Sequence, residues 1–334
     1  VAAQVAQTGE PVMANDVPNS CHCKFPELAL EDGGTHHLLC VPMLLRGFSG
    51  AISIFRQNTE PFTERDKRML MRLAPMVASG IRNADLYERE KKIAENLQAS
   101  MLPVLDKDYS GIQVAAIYQA ALDESQVGGD FYEVIDFGDG RYGVVIGDVS
   151  GKGLDAAVYT AMARYMIQAY SADDPNPVHV MTRLNGALFR YTPMGKFVTV
   201  IYGIVDTRTH TFTYVNAGQE LPFVYEHLSQ RIEALETTGP AAGALEDGEY
   251  EMQTVTFGPE DVLIMYTDGA TEALKEGKFL GTDGLKEIVE DRIRKGFDRL
   301  PEAIARAVRD YGNEHLRDDM AILAIKCRRP GALF

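Results

Sequence analysis

Four aspartates share one setting in this chain. Asp130 follows two glycines in VGGDFYEV, Asp148 ends RYGVVIGD, Asp268 ends VLIMYTD ahead of Gly269, and Asp318 with its neighbour Asp319 precedes MAILAIK. Each stands where an apolar β-type run meets a turn, so its carboxylate projects from a fixed frame, and the adjoining glycines let backbone approach a ligand closely. Singly, each reads equally as an ordinary turn residue, because Asp and Gly favour turns on their own account. Together, with no competing cluster of His or Cys in the same half of the chain, they predict convergence on one edge of a β core. Oxygen ligands without imidazole or thiolate suit Mg²⁺ or Mn²⁺ and disfavour zinc or copper. Two such ions a few ångströms apart can share a bridging hydroxide, lowering the pKa of bound water and neutralising phosphoryl oxygens. Phosphate-monoester hydrolysis needs such help, its uncatalysed barrier being among the highest known.

Other chemistries fit less well. VVIGDVSGKGLD at 144–155 has the outline of a phosphate-cradling loop, but that motif needs four residues between its glycines and a hydroxyl after the lysine; here three residues separate Gly147 from Gly151, and Gly153 follows Lys152. Lys152 reads either as a phosphate contact or as a solvated lysine in a glycine turn. No G-x-S-x-G elbow occurs, and His179, His210, His227 and His315 have no evident Ser or Cys partner in sequence.

The elements that must position the aspartates are short. IQVAAIYQ, FYEVIDF, RYGVVIGD, FVTVIYGIVD, TFTYVNAG, LPFVYE, VLIMYTD and MAILAIK are β-branched or aromatic runs bounded by Gly, Asp or Asn. Between them LDAAVYTAMARYMIQAY, with Val158, Met162, Tyr165 and Ala169 on one face, PVHVMTRLNGALFRY, TDGLKEIVEDRI and PEAIARAVRDYGNEHL read as helices. Strands and helices that do not strictly alternate predict an α+β domain of antiparallel sheets covered by helices, cut from what precedes it near residue 103. Upstream, LLCVPMLLRGFSGAISIFR reads as a hairpin. Thr63 and Asp66 form a capping box that opens a helix, which Pro75 should kink. From Ile81 to Leu102 a charged helix carries Leu86, Ile93 and Leu97 on one side, as a solvated spacer or a short two-stranded coiled coil.

The 334 residues are 46% hydrophobic, enough for ordinary cores, and carry a net charge of −15, which argues against a nucleic-acid partner. No apolar run is long enough to span a bilayer and no secretory leader opens the chain, so the expected setting is cytoplasmic, with no membrane contact in this piece. A start at Val1 rather than Met reads as part of a longer protein, with any upstream anchor unseen. Four cysteines make no disulfide framework, which fits a reducing compartment. Cys21, His22, Cys23, His36, His37 and Cys40 gather in sequence, but their spacing matches no zinc pattern and reads as buried Cys and loop His.

VGGDFYEV, GDVSGKG, FVTVIYGIVD, YVNAG, YTDGATEA and RDDMAIL, in this order, resemble the bacterial SpoIIE-like branch of the metal-dependent type 2C protein phosphatases over roughly residues 95–328. The resemblance implies a fold of two packed antiparallel β-sheets flanked by helices. It implies that Asp148 bridges two Mn²⁺ or Mg²⁺ ions, that Val149 offers its backbone carbonyl, that Asp268 and Asp318 complete one metal and that Asp130 orients water from behind. Glu272 matches the place where relatives can hold a third ion, and Asp319 is the alternative to Asp318. Implied too are a phosphoserine or phosphothreonine substrate on a STAS-domain anti-sigma-factor antagonist and a role in the partner switching that frees a sigma factor. Gln219, where relatives often have His, and Arg317 and Ala321, where they have Ser and Thr, bear on substrate preference rather than on metal binding. TGEPVMANDV, LLCVPMLLRGFSGAISIFR, PFTERDKRMLMRLA and IRNADLYERE resemble the later half of a GAF sensory domain. The expected organisation is a partial GAF-like α/β domain over 1–80, a linker helix over 81–102 that pairs two chains as a homodimer, and a phosphatase domain over 103–334. The competing reading is a degenerate phosphatase-like module that docks a phosphoprotein without turnover.

Overall fold

The computed structural model describes residues 1–15, 36–57, 60–101, 109–120, 128–193, 195–313 and 316–329. Cys21, His22, Cys23 and His315 lie outside the described residues. The chain divides into two compact units, Val1–Lys91 and Lys92–Phe334.

In the first unit, α1 (Ala2–Thr8) and β1 (Val12–Asn15) precede β2 (His36–Leu45), β3 (Phe48–Gln57) and α2, which begins at Glu64 and runs on to Met101. The strands form one antiparallel sheet in the order β1-β2-β3. The expected hairpin is β2–β3, paired from His36↔Gln57 to Leu45↔Phe48 around a turn in which Gly47 takes φ +79°. β2 is apolar on both faces because both are covered: Leu39, Val41 and Met43 pack with Leu70, Ala74 and Ala78 of α2, while Leu38 and Cys40 pack with Val5 of α1. Cys40 is therefore a buried core residue, and Ser53 donates a hydrogen bond to its Sγ at 3.3 Å. The capping box is formed, with Thr63 N donating to Asp66 Oδ2 at 2.8 Å and Asp66 N to Thr63 Oγ1 at 3.3 Å. Pro75 lies inside α2 without ending it, so the two helices read from sequence are one continuous element of 38 residues.

The second unit contains β4 (Ile112–Gln119), β5 (Phe131–Asp136), β6 (Arg141–Val149), α3 (Leu154–Asp173), α4 (Pro177–Tyr191), β7 (Val198–Asp206), β8 (Thr211–Ala217), β9 (Phe223–Glu226), β10 (Arg231–Ala234), β11 (Gln253–Thr256), β12 (Val262–Tyr266), β13 (Leu274–Lys275), β14 (Lys278–Phe279), α5 (Gly281–Ile293), α6 (Leu300–Tyr311) and β15 (Met320–Cys327). Two five-stranded antiparallel sheets result, in the orders β10-β9-β12-β15-β4 and β11-β8-β7-β6-β5. Period-2 alternation assigns the faces. Val144 and Ile146 of β6 meet Leu263, Met265, Leu323 and Ile325 between the sheets. Val145 of β6, on its other face, packs with Ala163 and Ile167 of α3 and Val180 and Leu184 of α4. Ile264, Ile322 and Ala324 pack on the far side of the other sheet with Leu285 and Val289 of α5 and Ile304 and Val308 of α6. The expected α+β sandwich of two antiparallel sheets flanked by helices is the observed architecture. Along α3, however, the apolar face read from sequence is mostly outward: Val158 and Tyr165 are exposed while Met162 packs against the core, and the buried stripe is Ala156, Thr160, Ala163 and Ile167. Small residues on that stripe let the helix lie close to β5 and β6.

Candidate metal centre

Strand register brings the four aspartates to one end of the sandwich. Phe131 pairs with Gly147 across β5 and β6, so Asp130, just before β5, and Asp148, at the end of β6, leave that sheet at the same edge. Tyr266 pairs with Ile322 across β12 and β15, which sets Asp268, after β12, beside Asp318 and Asp319, before β15. Thr267 ties the two sheets together here: its hydroxyl donates to Asp130 Oδ2 at 2.6 Å and accepts from Ala321 N at 2.8 Å. Thr267 is fully buried and Asp130 nearly so, and a buried polar pair of this kind must be mutually satisfied.

Gly129 explains the GGD spelling. A Cβ there would stand 2.3 Å from Asp148 Oδ1 and 2.4 Å from the Val149 carbonyl oxygen, so any side chain would displace those oxygens. The Gly129 carbonyl accepts from Val149 N at 3.2 Å and from the Thr160 hydroxyl at 3.1 Å, fixing the turn against α3. The pair Asp318–Asp319 divides. Asp319 is buried and accepts from the Tyr118 hydroxyl at 2.6 Å, while the more exposed Asp318 places Oδ1 2.9 Å from Asp319 N and 3.3 Å from Lys152 Nζ. Asp268 opens a single 3-10 turn, Asp268–Ala270, and its carbonyl accepts from Glu272 N at 2.8 Å. A cleft of about 490 Å³ opens beside Asp148 and Asp268, lined by these two and by Glu220, Gln219, Thr199 and Phe197 among others.

Crowded carboxylates raise one another's pKa. Asp148 is pushed up to about 7, by burial first and then by Asp268 and Asp318. Asp268 is pushed up to about 6 by burial, Asp318, Glu272 and Glu220. Asp130 is raised well above the carboxylate range by burial and by Asp148, with the Thr267 hydrogen bond acting against the shift. Glu220 is raised by burial and by Glu272. Sequence reading passed over Glu220, Thr267 and Tyr118. Glu220 stands in NAGQELP, a strand-end glycine turn like those of the aspartates, and that was its available signal; Thr267 and Tyr118 became visible only through the register that pairs their strands.

The donor set fits a hard divalent cation. Asp148, Asp268, Asp318, Asp319, Glu220 and Glu272 and the Val149 carbonyl present oxygen alone, and Gly129 lets two of these oxygens lie against the backbone. Among the described residues no three His, Cys, Asp or Glu groups are drawn round a common point. His37 is buried in β2 with Cys40, and the His/Cys group read from sequence makes no such cluster among the described residues.

Residues 138–328 match the family profile of stage II sporulation protein E, SpoIIE. The chain belongs to the SpoIIE family. Residues 1–82 match a GAF domain, so a GAF domain precedes the SpoIIE/PP2C-type phosphatase domain. Phosphoserine phosphatase RsbU of Bacillus subtilis (strain 168) is 25% identical over 237 residues, covering 71% of this chain and 70% of RsbU. Among solved structures, the SiaA-PP2C domain of Pseudomonas aeruginosa superposes with TM-score 0.62 at 22% identity, covering 75% of this chain and 98% of that one. The RsbU and RsbW domains of a Mycobacterium tuberculosis protein give TM-score 0.60 at 23% identity, covering 69% of this chain and 62% of that one. At these identities the structures speak for the SpoIIE member's fold alone, and this chain spans under two thirds of the M. tuberculosis chain. No helix among the described residues is long and apolar enough to cross a membrane.

Proposed function

We propose that the chain is a divalent-metal-dependent phosphoserine/phosphothreonine protein phosphatase. The observation that carries this reading is the gathering of Asp130, Asp148, Asp268 and Asp318 from four separate strand ends at one edge of the sandwich, with oxygen donors only. In this reading Asp148, Asp268, Asp318 and the Val149 carbonyl hold two Mn²⁺ or Mg²⁺ ions, with Glu272 available to a third and Asp319 kept behind Asp318 by Tyr118. Bound ions supply an activated water at neutral pH and positive charge for the phosphoryl oxygens. Asp130, clamped by Thr267, orients water at the back of the site. Lys152, whose Nζ lies 3.3 Å from Asp318 Oδ1, would meet the phosphate of an incoming substrate. The GAF domain over 1–80 acts as sensor, the helix over 81–102 as coupler and homodimer contact, and 103–334 as catalyst. The partner fitted to this scheme is a phosphorylated STAS-type antagonist protein in a cytoplasmic sigma-factor pathway.

The test is hydrolysis of an aryl phosphate by chelator-stripped protein with Mn²⁺, Mg²⁺ or Zn²⁺ restored. Turnover should vanish on stripping and return best with Mn²⁺ or Mg²⁺. Turnover that survives at zero metal content would remove the metal-dependent reading, and none with any ion would leave the docking module.

A further inference from the structure

Beside the acidic cleft lies a second hollow of about 350 Å³, lined by Phe189, Thr192, Pro193, Lys196, Phe197 and Ala244 among others. Phe197 also lines the cleft, so the two share a wall. That wall is bonded to the turn that follows Asp148. Ser150 N donates to the Phe197 carbonyl at 3.0 Å, Phe197 N to Ser150 Oγ at 3.0 Å, and Lys196 Nζ to the Ser150 carbonyl at 3.0 Å. The hollow is thereby held in fixed register with Asp148, two residues before Ser150. Of its lining, Phe189 and Phe197 are 42% and 38% exposed, and Tyr191 and Leu245, next in sequence to the lining residues Thr192 and Ala244, are 66% and 57% exposed. Large apolar side chains grouped at the mouth of a cleft mark a surface that a partner covers.

The shared wall points to the kind of partner. A substrate whose phosphate enters the cleft brings the residues beside its phosphoserine or phosphothreonine across Phe197 and onto the hollow. An apolar side chain gains by burial there. We propose that this hollow receives an apolar side chain of the phosphoprotein substrate, one close in sequence to the phosphorylated serine or threonine. The inference rests on the phosphatase reading above and names the substrate feature that the chain selects.

The experiment uses the full chain with Mn²⁺ and two matched phosphoserine peptides, one with leucines flanking the phosphoserine and one with serines in their place. An aryl phosphate, too small to reach the hollow, is the control. The leucine peptide should be turned over with kcat/KM roughly ten-fold higher, through KM. Phe189→Asp, which puts a charge in the hollow, and Ala244→Trp, which fills it, should each erase that preference and leave aryl phosphate turnover unchanged. Equal kcat/KM for the two peptides in the unaltered chain, or a preference that persists in both variants, overturns the proposal while aryl phosphate turnover upholds the phosphatase reading. A change of mass in light scattering for the variants, with peptide preference intact, would assign the patch to contacts between copies and equally overturn it. No turnover of any substrate would remove both readings together.

Discussion

Asp148 is the residue on which the proposed chemistry turns, since it lies between the aspartates of both sheets and feels the charge of Asp268 and Asp318. Asp148→Asn keeps the shape and removes one charge; it should lower kcat by roughly a thousand-fold with folding intact, and Asp268→Asn should act alike. Near-normal turnover of Asp148→Asn at saturating Mn²⁺, measured with circular dichroism as the fold control, would contradict the assignment. Gly129→Ala tests the site without altering a ligand. Its methyl would press on Asp148 Oδ1 and the Val149 carbonyl, so the Mn²⁺ concentration for half-maximal activity should rise by about ten-fold or more. The raised carboxylates also set a pH dependence. A carboxyl whose folded pKa exceeds the unfolded value near 4 favours folding in its protonated form. With Asp148 near 7 and Asp268 near 6, metal-stripped protein gains this stability at low pH and loses it as pH rises through 6 to 7. Its phosphatase domain should melt roughly 5 °C lower at pH 8 than at pH 5, with Mg²⁺ restoring the difference and Asp148→Asn flattening it. A midpoint that ignores both pH and Mg²⁺ would speak against a repelling cluster.

Among the elements, the longer apolar runs were legible, the edge strand β4 among them, and the short polar strands were not. IQVAAIYQ is β4 and PVHVMTRLNGALFRY is α4, residue for residue, because each is an apolar run with clear end signals; Asn176 caps α4 by accepting from Val178 N and His179 N. RIEA and QTVT, the edge strands β10 and β11, carry too few apolar residues to announce themselves. The aspartates could be picked out because strand ends beside glycine are visible in one dimension. Their partners Thr267, Tyr118 and Glu220 could not, because which strand ends meet is decided by sheet order and register. The outward apolar face of α3 was misleading for a related reason: close approach to β5 and β6 selects alanine, whose burial leaves little periodic signal. On α2, Leu86 and Ile93 are half exposed to water, and the side chain of Leu97 lies outside the described residues. Long exposed apolar side chains on a charged helix favour pairing with a second copy. Replacing Leu86, Ile93 and Leu97 by Ser should shift the protein from dimer to monomer in light scattering and change basal turnover or its Mn²⁺ dependence. An unaltered chain that is already monomeric, or a triple variant with unchanged mass and Mn²⁺ response, would reduce this stretch to a spacer.

At the scale of the whole molecule, a GAF domain and a SpoIIE-family phosphatase domain share one chain, and the central claim is that its second unit uses aspartate-held divalent ions to release phosphate from a protein serine or threonine. The most direct measurement combines calorimetric titration of Mn²⁺ into stripped protein with phosphate release from a phosphoserine peptide, for the unaltered chain and for Asp148→Asn. The account predicts about two Mn²⁺ bound per chain and phosphate release that rises with their occupancy, with both binding and release crippled by Asp148→Asn. Phosphate release by protein that binds no divalent ion, or full Mn²⁺ binding with no release from any phosphoserine or phosphothreonine peptide, would contradict it.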